Sequence, residues 1–154
     1  MTTEQISESN ASFLENVKAN AGLSDLYEAR DLSEVVFRTM RDVMSTEASG
    51  RVSTELHQEA QPTSDKTLQV EVSELWKDTN PLVAWLSQFR PPFNIEDKTF
   101  IRRIEQEGGT PRGTTGEKVL EAVFSATKDE LSQERIEEIS NALPGKVKEI
   151  WMNA

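Results

Sequence analysis

The segment SEVVFRTMRDVMS, residues 33–45, recurs in outline as LEAVFSATKDELS, residues 120–132. The spacing is 87 residues, and it holds without a gap between residues 13–56 and 100–143. Ten of the 44 columns are identical, among them Phe13/Phe100, Gly22/Gly109, Phe37/Phe124, Ser45/Ser132 and Leu56/Leu143. Average composition gives roughly 6% identity by chance, or two to three columns. Other columns exchange like for like: Val17/Ile104, Arg41/Lys128, Met44/Leu131 and Val52/Ile139. Helical periodicity alone aligns one amphipathic helix with another. It does not hold one register across three segments and a shared glycine, so the pattern reads as an internal duplication.

The register breaks after Leu56. Val72/Val147, Glu74/Glu149, Leu75/Ile150 and Trp76/Trp151 align at a spacing of 75, so the first copy carries 12 extra residues. This insertion is polar and holds Pro62, which predicts a surface loop.

Apolar positions recur at helical spacing in both copies. The first copy, residues 9–76, is expected to hold a helix over 9–20, a second over 25–44 and a third capped by Ser45. A last helix carries Val72, Leu75 and Trp76, although Leu68, Val70 and Val72 also alternate as a short strand would. The second copy, residues 94–151, repeats this. Asn94 and Asp97 suit a capped start, Thr114 and Glu117 have capping-box spacing, and Ser132 suits an N-cap. Gly22 and Gly108–Gly109 stand where helices should stop. Pro144 and Gly145 break the chain before Val147, Ile150 and Trp151. Between the copies, residues 77–93 predict a connector helix, with Asn80 as cap, Pro81 in its first turn, and Leu82, Trp85, Leu86 and Phe89 on one face.

A unit of some 50–65 residues is marginal alone. The expected fold is therefore all-α: one domain over 1–154 in which two tandem three- to four-helix units share a core about an approximate twofold. Two loosely tethered units are the alternative.

Each copy runs from FL…V…GL or FI…I…GG, through EVVF or EAVF, to a closing LW or LPGKVKEIW. In this the chain resembles the small bacterial helical proteins grouped as a conserved domain of unknown function, often with two tandem copies of the pattern. The resemblance runs from about residue 13 to 151. The first copy departs from it at His57, which replaces the proline of LP, and in its insertion. The resemblance implies an all-helical fold and supplies no catalytic residues.

Composition narrows the chemistry further. There is no cysteine and one histidine, which removes thiolate chemistry, disulfides and ordinary zinc sites. No cofactor is expected. Net charge is −10, and no segment is basic: −5 over residues 1–56, −2 over 57–93 and −3 over 94–154. Neither nucleic acid nor an anionic membrane is an expected partner. The longest strongly apolar run, residues 82–86, is far too short to cross a bilayer, and the polar start lacks a signal-peptide pattern. A cytoplasmic location is expected.

Four features compete as sites. His57 lies in the polar insertion and reads as an exposed, idle histidine. Asp129–Glu130 and Glu137–Glu138 are the carboxylate pairs open to acid–base work, but they fall on polar helix faces and read as solvated surface. The three tryptophans read as core rather than a binding platform. The strongest ligand candidate is EGGTPRGTTGEK, residues 107–118, where Gly108, Gly109, Arg112, Gly113 and Lys118 precede a helix start that backbone amides would make attractive to an anion. It lacks the phosphate-loop pattern, since Thr114 follows Gly113 where lysine is required, and it reads equally as a helix–helix loop. Three function classes result: a protein-interaction or adaptor module, whose partner is another protein; an anion- or small-ligand-binding protein at residues 108–118; and, least supported, an enzyme using carboxylates.

Overall fold

A computed structural model describes residues 12–56, 58–66, 68–77, 92–111 and 113–154. Among them are eight α-helices and no strand beyond an isolated antiparallel bridge between Glu59 and Glu71. The helices are α1 (Phe13–Ala21), α2 (Leu26–Asp42), α3 (Thr46–Glu55), α4 (Val72–Trp76), α5 (Asp97–Gly108), α6 (Gly116–Lys128), α7 (Gln133–Ala142) and α8 (Gly145–Asn153). The all-helical expectation is met. Helices α3 and α7 occupy the same ten positions at a spacing of 87.

Local signals account for most boundaries. Ser12, Asp25, Ser45 and Ser132 each accept a hydrogen bond from the backbone N–H three residues on, the ordinary N-cap geometry. Gly22 and Gly109 end α1 and α5 in the left-handed region, at φ 69° and 60°, where a Cβ would be strained. Two expected caps sit elsewhere. Thr115, not Thr114, caps α6 by accepting from Lys118 N, and Thr114 Oγ1 instead donates to Ala21 O at 3.2 Å. Helix α5 has Glu96 rather than Asn94 at its N-cap, with no side-chain cap. The Asp97 carboxylate is turned to the start of α8, where it accepts from Lys146 N at 2.9 Å. The predicted connector helix lies outside the described residues over 78–91; Lys77, Pro92 and Phe93 are not helical.

One buried cluster joins residues of both halves, from Phe13 and Leu14 through Phe37 and Trp76 to Phe100, Phe124 and Trp151. Helix α1 packs mainly on α6, α2 packs on α5, and α3 packs on α7. Each half also has its own aromatic pair. Phe37 meets Trp76 edge-on at 5.2 Å and 64°, and Phe124 meets Trp151 at 5.0 Å and 79°. Both indoles are fully buried, so each N–H needs an acceptor. Trp76 Nε1 donates to Ser49 O and Trp151 Nε1 to Ile136 O, both at 3.0 Å. Ser49 and Ile136 are 87 residues apart.

The insertion is more integrated than a polar surface loop. Ala60 N donates to Val70 O at 2.8 Å and Val72 N to Gln58 O at 2.9 Å, so the loop folds back on itself. Ala60 O then accepts from Leu14 N at 3.0 Å, which satisfies a first-turn amide of α1. Ala60 and Leu68 are buried. Val70 O takes part in this fold-back and Val72 opens α4, so the helix is the element formed and the strand alternative is not.

Candidate functional site

The glycine-rich stretch is explained largely by packing. Gly108 lies against Leu32 of α2, with no room for a Cβ. Gly109 supplies the left-handed stop of α5, and Gly113 turns the loop with φ 89°. At Gly116 a Cβ would stand 2.7 Å from Glu105 Cγ and 3.0 Å from Ile101 O, so α6 begins in direct contact with α5. Arg112 lies outside the described residues. Lys118 is exposed, and its backbone N–H is taken by Thr115.

Three amides of this stretch, those of Thr114, Gly116 and Lys118, are engaged within the chain. Gly116 N donates to Glu105 Oε2 at 3.0 Å, so a carboxylate from α5 already occupies the start of α6. Asp97 does the same for α8, and the Lys146 backbone N–H holds its carboxyl below the usual range. An added anion at α6 would have to displace Glu105, at the electrostatic cost of two negative groups in one place.

Asp129 and Glu137 are exposed as expected, whereas the other member of each pair, Glu130 or Glu138, departs from simple solvated surface. Glu138 is bound by Arg51 and by Arg135 at 2.7 Å, and Arg51 chiefly holds its carboxyl low. Glu130 is half-buried. Burial pushes its carboxyl up to about 7, against the pull of the Gln58 backbone N–H and with a small push from Asp129. Its Oε1 is buried and has no hydrogen-bond partner. Sequence reasoning placed Glu130 on the polar face of a helix. One signal was available: Glu130 aligns with Val43, which is buried. Among the described residues no three His, Asp or Glu side chains gather as a metal site would require. His57 and Trp85 lie outside the described residues.

A cleft of about 430 Å³ opens where α2, α4 and the end of α5 meet. Its lining includes Val35 and Leu75, both largely buried. Its charged lining combines Asp31, Glu34, Glu74 and Glu107 with Arg38, Arg41 and Lys77. Arg38 and Glu107 pair across the wall at 3.2 Å. Partial burial raises the Glu34 carboxyl, opposed by Arg30; much of that side chain meets solvent, so the effect is screened. Sequence reasoning missed this cleft because its residues come from three segments, each of which looks like an ordinary polar helix face.

A family model described as an uncharacterized conserved protein (DUF2267) matches residues 10–150. The chain belongs to this family. The DUF2267 description gives no activity. The match takes in the cleft, the glycine-rich stretch and the residues of the α3–α7 crossing. None of the curated proteins compared with the chain matches it significantly. Among the described residues no helix is long and apolar enough to cross a membrane.

Proposed function

We propose that this chain is a protein-interaction module, an adaptor made of two fused copies of one helical unit within a single domain, with the α2–α4–α5 cleft as its docking site. The observation that carries the reading is the chemistry of that cleft. A cleft lined by both signs of charge, with Val35 and Leu75 between them, suits a polypeptide, which brings apolar side chains and both signs of charge together. A compact anion would meet four carboxylates there, and an apolar small molecule would find little apolar wall. The duplication is supported by the paired caps at Ser45 and Ser132, the paired glycine stops, and the matching indole bonds at Ser49 and Ile136.

The test is affinity capture from the native source with three baits: wild type, Glu34→Arg/Arg38→Glu in the cleft, and Glu149→Lys on the α8 face. A protein held by wild type and by Glu149→Lys but lost from the cleft variant supports the reading. Equal capture by all three, or capture by none, overturns it. Anion binding at residues 108–118 is the competing proposal. It requires phosphate or sulfate at millimolar concentration to raise the melting temperature, and the engagement of Gly116 N by Glu105 weighs against it.

A further inference from the structure

The crossing of α3 and α7 brings one alignment column into contact with itself. Arg51 and Glu138 are 87 residues apart. Arg51 Nε donates to both Glu138 oxygens, at 3.2 and 3.0 Å, and Nη2 adds a third contact. A column that meets itself is what a twofold axis produces, as in an isologous interface between identical subunits. The packing of α1 on α6 and of α2 on α5 obeys the same exchange, since each joins the first helix of one half to the second helix of the other.

The side chains at this crossing are not symmetric. Glu55 accepts from Ser132 N and Oγ at 2.8 and 2.9 Å and lies 3.5 Å from Arg135. The equivalent of Glu55 is Ala142, and the equivalent of Arg135 is Ala48. The helix positions match at this crossing, residues 46–55 against 133–142, and the charges do not.

Resting on the duplication proposed above, we propose that the α3–α7 crossing selects its partner: its backbone would accept a second copy of either half, and its charges accept only a first half against a second. Pairing first with first, as between two chains, sets Arg51 against Arg51 and leaves Glu55 facing Ala48. Pairing second with second sets Glu138 against Glu138 and leaves Arg135 facing Ala142. There the 9%-exposed Arg135 side chain would lose its 3.5 Å contact with Glu55 while keeping Glu134 and Glu138 of its own half, each at 2.7 Å, so the main obstacle to this pairing is the approach of the two Glu138 carboxylates. Like charges brought together are a common means of excluding a wrong partner.

The test compares refolding of the full chain from urea at high protein concentration, with dimer content read by light scattering after size exclusion. The proteins are wild type, the neutral pair Arg51→Ala/Glu138→Ala, and the reversed pair Arg51→Glu/Glu138→Arg. The neutral pair is expected to give roughly two- to fivefold more dimer than wild type, the scale of a well-formed surface ion pair. The reversed pair restores complementarity across the axis and is expected to give less dimer than the neutral pair. Wild type refolded in about 1 M salt, where screening shortens to about 3 Å, should behave like the neutral pair. This last measurement needs no variant to fold. Equal dimer in all cases, or no salt effect on wild type, overturns the proposal. Failure of the duplication itself would show separately, in an experimental structure whose halves do not superpose.

Discussion

Glu130 offers the sharpest test of the packing. In the fold its carboxyl titrates near 7 because burial disfavours the charge, whereas the unfolded chain titrates it at the ordinary value of 4.5. The folded state thus holds the proton more tightly. Its contribution to stability is complete below about pH 4.5, declines as the unfolded chain ionises, and is lost as pH rises through 7. A displacement from 4.5 to about 7 corresponds to at most about 3 kcal/mol. The side chain keeps partial access to solvent, so the realised cost is about 1–2 kcal/mol. For a chain of this size that is about 3–6 °C in melting temperature. Glu130→Gln keeps an acceptor for the Gln58 N–H and cannot ionise. Thermal melts of both proteins from pH 5 to 8.5 should start close together at pH 5, then diverge until the Gln variant is the more stable above pH 7.5. Taking the difference cancels Asp97 and Glu138, whose lowered carboxyls give the opposite slope at lower pH. Parallel profiles, or a Gln variant less stable at pH 8, would refute the assignment.

Other expectations concern single contacts. Gly116→Ala should cost about 1–3 kcal/mol by urea denaturation, because the new methyl has Ile101 O at 3.0 Å and nowhere to move; a neutral result would mean that α5 and α6 are less closely apposed. Ser132→Ala should lower stability by about 1 kcal/mol or more and exceed Ser45→Ala, since Ser132 also binds Glu55. Trp76→Ala and Trp151→Ala should each cost about 3–5 kcal/mol and agree with one another within error, as matching positions in matching packing would require.

What could be read from the sequence was whatever depends on near neighbours. Phe13, Leu14 and Val17 mark the buried face of α1 because an amphipathic helix repeats every three to four residues. Ser45 and Ser132 cap from three residues away, and Gly22 and Gly109 stop helices through their own backbone freedom. The features that escaped are set by partners far along the chain. Asp97 accepts from Lys98 N in its own helix, as a local reading expects, and its other oxygen also serves a helix that begins 48 residues later. Ala60 looks like loop and is buried because Leu14 and Val70 claim its backbone. The cleft needs three segments at once.

The two carboxylates of α5 have a consequence for how the molecule comes apart. Helix α8 has no side-chain cap of its own and relies on Asp97, while α6 shares its first turn with Glu105. Peeling α5 away would therefore uncap α8 and half-uncap α6 in the same event. In the first half Lys18 stands in the Glu105 column and can accept nothing, and α2 is capped locally by Asp25. Helix α2 keeps its cap whether or not α1 is in place. Amide hydrogen exchange should accordingly find α5, α6 and α8 opening as one cooperative unit, with α1 able to fray while α2 stays protected.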